Sequence, residues 1–251
     1  MNRLLTLAIF VSLVYKLLCP ALCFGFVTSA KEDLNGNGKM EQISIYVIEG
    51  TYHNFVLSIN EDSIRAKLFS GTPDGFTIVD IDTMDQYQEI AVHTPGPSSD
   101  DEYLIFGYNG ISIKEMGRLS RWPKFFGNGI VIVKDWMGFW AKKEKYVLNQ
   151  KARTLQLIPQ DLYYVGIETT VRQSFPICRT REDSTVVVDL EPKSKVIVLL
   201  CDPSPTHCKE EMRDVIDDYY CDWYFIKSET GIVGWARLKL FWDKLGLNWA
   251  D

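Results

Sequence analysis

Residues 33–41 read DLNGNGKME, and residues 42–48, which follow directly, read QISIYVI. The first segment alternates oxygen-bearing side chains with small or apolar residues and holds two glycines, a composition typical of a tight turn. The second is rich in β-branched and aromatic residues, which predicts a strand. This stretch therefore predicts a polar turn that leads straight into a β-strand, and a related pattern recurs further along the chain.

The first turn offers oxygen ligands at alternate positions. Calcium binds six to eight oxygens from carboxylates, amides and carbonyls. Asp33, Asn35 and Asn37 can turn their side-chain oxygens inward, while the Lys39 carbonyl and the Glu41 carboxylate can complete the shell. The glutamate comes too early for the loop of an EF-hand. We expect a structural calcium site here, and the alternative is an Asx-rich turn without metal.

A related turn follows at residues 80–92, which read DIDTMDQYQEIAV. It again places acids ahead of an apolar strand, with a glutamate just before the strand. It lacks both glycines and holds an extra residue, so a second, weaker calcium site is expected at Asp80, Asp82, Asp85 and Glu89. The repetition predicts duplicated β units.

Both turns resemble the calcium loops of FG-GAP and VCBS-type repeats, which occur in integrin-like β-propeller blades. That family carries D-x-[DN]-G-[DN]-G-x-x-[DE] followed by an apolar strand. Residues 33–41 match this pattern position for position, and residues 80–89 match its ends. The resemblance implies the five residues named in the first turn as calcium ligands. Residues 31–160 have room for about three such units, fewer than a closed propeller needs, so an incomplete propeller-like array is expected.

The remainder of the first half also predicts strands rather than helices. The clearest hairpin lies at residues 103–114, where Asn109-Gly110 suits the positive φ angles of a two-residue type I′ turn. The charged run KKEK at residues 142–145 is interpreted as a solvated strand end. The chain is thus predicted to be mostly β, with a repeat-type sheet domain at residues 31–160 ahead of a second, smaller β domain.

Three short segments near the C-terminus predict that second domain: KVIVLL at 195–200, WYFIK at 223–227 and GIVGWA at 231–236. Their order resembles that of bacterial SH3-like (SH3b) domains over roughly residues 168–240. The resemblance implies a small SH3-like β-barrel with a C-terminal extension, occupying residues 168–251.

Aromatic residues of this domain are candidates for a ligand groove. Trp223, Tyr224 and Trp235 supply large apolar surfaces that could hold a peptide or a glycan. The alternative for the two tryptophans is core filling. Extracellular bacterial members of the SH3-like family are commonly associated with cell-wall or ligand binding, and the resemblance implies the same here.

Residues 1–30 predict a signal peptide or an N-terminal anchor. Arg3 precedes an apolar run, the pattern of a secretory signal. Small residues allow cleavage after Cys23 or after Ala30. The alternative is an uncleaved anchor, in which Lys16 near mid-membrane would cost about 2.5–3.5 kcal/mol. We therefore expect a secreted protein or one of the cell envelope.

Cysteine usage agrees with export. Two of the six cysteines lie in the signal region. Four remain and are candidates for two disulfides in any of three pairings: Cys178, Cys201, Cys208 and Cys221. The alternative is that some or all of these thiols stay reduced.

Charge and histidine content limit the classes of partner and activity that this chain can have. The net charge of −6 argues against nucleic acid as the main partner, because phosphate binding needs a basic surface. No membrane contact is expected beyond the signal or anchor segment. The three histidines stand in no catalytic motif. We therefore expect a non-enzymatic binding protein that recognises cell-wall polymer or a surface protein, with calcium in a structural role.

Two other functions stay open. A secreted hydrolase with an SH3-like targeting module would need acids from residues 95–102, or from the region of Trp136, to line a cleft. A structural interaction subunit would pair its open β edges with another chain.

Overall fold

A computed structural model describes residues 26–51, 53–96, 101–183, 185–203, 222–238 and 241–250. Within these residues the chain is almost entirely antiparallel β, so the mostly-β prediction is confirmed. The strands form three four-stranded sheets, numbered sheets 1 to 3, and one six-stranded C-terminal sheet. Each of the first three is a meander in which consecutive strands pair.

The strands of the three meanders are numbered in chain order. Sheet 1 holds β1 (Ser29–Glu32), β2 (Glu41–Val47), β3 (Asn54–Ile59) and β4 (Asp62–Lys67). Sheet 2 holds β5 (Gly75–Val79), β6 (Glu89–Thr94), β7 (Glu102–Tyr108) and β8 (Ile113–Ser120). Sheet 3 holds β9 (Lys124–Phe125), β10 (Ile130–Trp136), β11 (Ala141–Asn149) and β12 (Thr154–Ile158).

Sheet 2 is buried on both faces, because sheets 1 and 3 pack against its opposite sides. Successive side chains of a strand point to opposite faces, and every residue of β6 and β7 is buried. The face toward sheet 1 carries Ile90, Val92, Leu104 and Phe106. The face toward sheet 3 carries Ala91, Tyr103 and Ile105. Burial of each large side chain contributes about 1.5–3 kcal/mol, so these two interfaces hold the three sheets in one stack.

The last residues of the segment 1–30, which was expected to be a signal peptide or anchor, take part in this stack. The N–H of Val27 donates to the Phe76 carbonyl and the N–H of Phe76 donates back, both at 2.9 Å. The Phe26 ring stacks on buried His93, with ring centroids 3.9 Å apart. Residues 26–30 therefore join sheet 1 to sheet 2, whereas residues 1–25 lie outside the described part of the chain.

The hairpin predicted at residues 103–114 is formed by β7 and β8, but its turn is wider than expected. The two strands are joined by residues 109–112, and of these only Gly110 has a positive φ. The Asn109 side chain accepts the N–H groups of Ile111 and Ser112, both at 2.9 Å. The two-residue type I′ prediction was wrong, because this Asx turn satisfies the donors of a four-residue connection instead.

The C-terminal sheet has the strand order β13-β16-β17-β18-β14-β15. Its strands are β13 (Tyr163–Thr170), β14 (Phe175–Cys178), β15 (Val186–Leu190), β16 (Lys195–Asp202), β17 (Trp223–Ser228) and β18 (Val233–Arg237). The helix α1 (Phe241–Leu245) follows. Among the described residues the sheet stays open, since its edge strands β13 and β15 do not pair with each other.

Sheet 3 contributes to the core of the C-terminal sheet. Met137, Phe139 and Trp140, from the β10–β11 connection, share one buried cluster with Tyr224 and Phe241. The indole N–H of Trp140 donates to the Tyr224 hydroxyl at 3.2 Å. This shared core joins the two parts of the chain. In the described part of the chain, no helix has the length and apolar character needed to cross a membrane.

The described cysteines do not pair. Cys178 and Cys201 are both free thiols, so the structure excludes a disulfide between them. Cys178 lies on β14 and Cys201 on β16, with β18 and β17 between them. Three strand spacings of about 4.8 Å far exceed the Cα separation that a disulfide spans. Cys208 and Cys221 lie outside the described residues.

Candidate functional site

The first acidic turn is built from side-chain oxygens that accept backbone N–H groups. Asp33 accepts the N–H of Asn37 at 3.1 Å and that of Gly38 at 2.7 Å. Asn35 accepts the same Asn37 N–H at 3.2 Å, and Asn37 accepts the N–H of Lys39 at 2.8 Å. Positive φ at Gly38 lets the chain close around these oxygens. The structure therefore brings Asp33, Asn35 and Asn37 together in one turn.

Glu41 lies behind this turn and braces it. Its carboxylate is buried and accepts the N–H of Leu34 at 2.8 Å and the side-chain amide of Asn35 at 3.0 Å. Both carboxylate oxygens are thus engaged within the turn. These bonds orient Asn35 so that its oxygen faces the loop. Glu41, expected as a calcium ligand, therefore has both carboxylate oxygens engaged by donors of the turn and braces it.

The second turn repeats this brace. Glu89 accepts the N–H of Ile81 at 3.1 Å, as Glu41 accepts that of Leu34. Successive turns are also joined by the same kind of backbone bond: Gln88 N–H donates to the Leu34 carbonyl, and Gly129 N–H donates to the Ile81 carbonyl. The turns therefore occupy equivalent places in successive sheets, as duplicated units would.

A basic side chain from sheet 3 enters the second turn. The Arg153 guanidinium donates to Asp85 and to Glu89, both at 2.6 Å. Asp82 accepts instead from the Gln150 amide at 2.5 Å. Three of the four acids expected to bind a second calcium ion are thus bonded to sheet 3. The sequence showed no sign of this partner, because Arg153 follows Glu89 by 64 residues.

Burial raises the proton affinity of two carboxyl groups of the second turn, those of Glu89 and Asp80. Desolvation raises the pKa of Glu89 to about 7, against the lowering effects of the Ile81 N–H and of Arg153. Burial, followed by the charges of Asp85 and Asp82, also raises the pKa of Asp80. The second turn is therefore an acidic cluster in which Glu89 is buried and the three aspartates are partly exposed, and Arg153 neutralises it in part.

The first turn fits calcium better than the second. Its side-chain oxygens come from Asp33 and two amides, and Asp33 and Asn37 belong to an exposed loop. Hard cations prefer such oxygens. Among the described residues no three histidine, cysteine or acidic side chains gather as a metal site. Few charges imply weak affinity.

The outer face of the C-terminal sheet carries aromatic and cationic side chains side by side. Trp223, Phe225 and Trp235 share this face, since Phe225 lies opposite Trp235 and Trp223 opposite Arg237. The rings of Phe225 and Trp235 lie 5.1 Å apart. Arg237 lies 5.0 Å from the centre of the Trp223 ring. Trp223, Phe225, Trp235 and Arg237 together form what we call the aromatic face.

Arg181 extends the aromatic face. Its guanidinium lies 5.2 Å from the centre of the Trp235 ring and forms an ion pair with buried Asp202. A guanidinium stacked on an indole ring can still donate from its edge to anions or hydroxyls, although part of the Arg181 edge is engaged by Asp202. The face can therefore combine ring stacking with charge-assisted hydrogen bonds.

Tyr224 does not belong to the aromatic face, which corrects the expected groove. Residues alternate across a strand, so Tyr224 points away from Trp223 and into the core. It is 1% exposed and bonds to Trp140. Phe225, Arg181 and Arg237 were missed. Period-two alternation along residues 223–227 could have identified Phe225, whereas the arginines needed the sheet order.

A polar cavity of about 450 Å³ opens between the sheets, close to Phe69 and Tyr146. It is lined by acids of the two regions that the hydrolase alternative named: Asp101 and Glu102, which follow residue 100, and Asp135 beside Trp136. Glu102 accepts the N–H groups of Phe69 and Ser70 and pairs with Arg118. Asp135 bonds to Lys142 at 3.0 Å. At least two of the three acids are therefore engaged in ion pairs that link strands.

Comparisons with known protein families, with curated proteins and with solved structures found no match for this chain.

Proposed function

We propose that this chain is a secreted or cell-surface binding protein, without catalytic activity, that recognises a cell-wall polymer or a surface protein. The observation that carries the proposal is the aromatic face, where Trp223, Phe225 and Trp235 lie in one surface with Arg181 and Arg237. Indole rings can stack on the apolar faces of sugar rings, and guanidinium groups bind carboxylates or phosphates in bidentate fashion.

Calcium has a structural role in this proposal. Asp33, Asn35, Asn37 and the Lys39 carbonyl would hold the ion, and Glu41 would keep the turn in shape through Leu34 and Asn35. A turn with so few charges suits the high calcium concentration found outside cells. The ion would order the turn that leads into β2 and perform no chemistry.

Co-sedimentation of the full chain with purified cell-wall sacculi, in calcium, tests the proposal. The unmodified chain is expected to sediment with the wall, and the double variant Trp223→Ala/Trp235→Ala is expected to sediment at least about tenfold less, since two stacking residues are lost. The matched control is Trp122→Ala, which removes a 63% exposed tryptophan far along the chain from this face. A wild-type chain that stays in the supernatant would contradict wall binding and leave a surface protein as the partner to test.

A hydrolase remains the second candidate because of the polar cavity. Asp101, Glu102 and Asp135 converge on it, together with Arg118 and Arg121. Release of soluble fragments from sacculi, lost in Asp101→Asn and Asp135→Asn variants that still fold, would support this candidate. Binding without release would favour the binding protein.

A further inference from the structure

The outer face of sheet 3, the face turned away from sheet 2, is basic. Val131 and Val133 point toward sheet 2 and are fully buried. Alternation therefore places Ile132 and Lys134 on the outer face, and the strand register adds their neighbours. Four lysines share this face across β9, β10 and β11: Lys124, Lys134, Lys143 and Lys145.

The run at residues 142–145 is split between the two faces. Lys142 and Glu144 lie on the inner face, where Lys142 bonds to Glu144 at 2.9 Å and to Asp135 at 3.0 Å. Lys143 and Lys145 lie on the outer face with no carboxylate of the described residues in ion-pair contact. The acid of the run is thus used on one face, and the other face keeps uncompensated positive charge.

Two of the outer lysines oppose each other directly. Lys134 is the register partner of Lys143, and like charges at opposed positions destabilise a sheet. Stability alone therefore gives no reason for this pair. Around it lie Ile132, the register partner of both Lys124 and Lys145, and Ile158, which is 41% exposed. This face therefore combines lysine ammonium groups with apolar isoleucine side chains that lie beside the lysines.

We propose that this outer face of sheet 3 binds a linear polyanion, a flexible chain with regularly spaced phosphate or carboxylate groups. The chain as a whole carries a net charge of −6, so a polyanion is repelled by most of the surface and attracted to this face. The lysines are spread over three strands rather than converging on one point. A single small anion would meet only one or two of them, whereas an extended polyanion can meet all four.

The aromatic ring of Phe126 closes one side of this face. Lys124 lies 4.8 Å from the centre of that ring, and Phe126 is 48% exposed. The site is separate from the aromatic face of the C-terminal sheet and does not depend on the function proposed for it. The two faces can therefore be tested independently.

Inorganic polyphosphate and a carboxylated polysaccharide are the probes. Both are expected to bind the full chain at low salt, and the preference between them identifies which anion the face favours. With four lysine contacts, the logarithm of affinity should fall with the logarithm of salt concentration with a slope of about −3, by analogy with nucleic-acid backbones. The double variant Lys134→Gln/Lys143→Gln should halve the slope and weaken binding at least about tenfold at low salt.

The same variant separates binding from folding. Removing two opposed like charges should leave the melting temperature unchanged or raise it, so lost binding cannot be ascribed to unfolding. The matched control, Lys31→Gln/Lys67→Gln, removes the same charge from exposed positions of sheet 1 and should keep full binding. Trp235→Ala should also keep it. The proposal is overturned if neither probe binds at low salt, or if the control variant loses as much affinity as Lys134→Gln/Lys143→Gln.

Discussion

Arg153 of sheet 3 binds Glu89 of sheet 2 at 2.6 Å, in the turn that corresponds to the first acidic turn. Glu89 is 1% exposed, and the same guanidinium also bonds to Asp85 at 2.6 Å. In the first turn, the equivalent Glu41 is bonded to Leu34 and Asn35 of its own loop. The two turns thus each have a bracing glutamate but differ in how its charge is compensated. In the second turn, that compensation comes from Arg153 of the neighbouring sheet.

Replacing Arg153 with alanine should destabilise the chain by about 2–4 kcal/mol, because it leaves a buried carboxylate without its partner. Arg153→Lys should recover only part of the loss, since a lysine ammonium lacks the planar fork of donors with which the guanidinium meets Asp85 and Glu89. Chemical denaturation measures both values. Lys151→Ala, two residues away and exposed, is the control and should change stability by less than about 0.5 kcal/mol. An alanine variant as stable as this control would show that Arg153 is not needed at Glu89.

Stability should fall as pH rises from about 4.5 to about 7. The pKa of Glu89 is raised from 4.5 to about 7 in the folded chain, so the folded state binds its proton more tightly than the unfolded state. The stabilisation is complete below the unfolded pKa and is lost as pH passes the folded pKa, by up to about 3 kcal/mol. Denaturation midpoints of Glu89→Gln should vary less in this window, while exposed Glu115→Gln should keep the wild-type profile. A flat wild-type profile would contradict the shift.

Removing residues 24–30 should weaken the fold. A chain that starts at Lys31 loses both hydrogen bonds between Val27 and Phe76, the bond from Ile45 to the Thr28 carbonyl, and the Phe26 ring on His93. Three hydrogen bonds at about 1 kcal/mol each, with the aromatic contact, give a loss of at least about 3 kcal/mol relative to a chain starting at Phe24. Thermal melts of the two chains compare them, and a chain starting at Val27 isolates the ring contact. Of the two candidate cleavage sites, only the one after Cys23 keeps these contacts, so the contacts favour cleavage there. Equal melting temperatures of the two chains would show that the contacts add no stability and would remove this reason to favour that site.

Calcium should raise the melting temperature, and a chelator should lower it. The effect is expected from the first turn, where Asp33 supplies the exposed carboxylate. Asp33→Asn should therefore raise the calcium concentration needed for this increase in melting temperature at least about tenfold. Asp82→Asn, in the turn that Arg153 enters, should leave most of the response in place. An unchanged melt of the wild-type chain in excess chelator would rule out the structural calcium ion.

The two described cysteines should differ in reactivity. Burial, followed by the charge of Asp222, raises the pKa of the Cys201 thiol, whose side chain is fully buried. Cys178 is partly exposed. Alkylation of the folded chain should therefore label Cys178 well before Cys201, and peptide mapping should find no bridge between them. Rapid labelling of Cys201, or a peptide linking the two residues, would contradict a sheet order that places two strands between β14 and β16.

Local sequence pattern predicted many of the strands but not the most charged one. The runs at residues 42–48, 195–200 and 223–227 correspond to β2, β16 and β17, because β-branched and aromatic residues favour extended backbone. The strand β11, from Ala141 to Asn149, contains the charged run KKEK, whose pattern predicted only a strand end. Its lysines and glutamate fit a strand because pairing with β10 and β12 fixes the backbone while alternation sends each charge to its own face.

Local sequence pattern was enough to predict the mostly-β fold and the acidic turns, since alternation, β-branched residues and the Asx-glycine spacing of residues 33–41 act over a few neighbouring positions. The tertiary structure alone decided what each turn and face could do. Arg153 reaches Glu89 across 64 residues, and Arg237 meets Trp223 because the two are register partners on neighbouring strands. Such pairings depend on sheet order and register, which follow from packing the whole chain, so no local pattern records them.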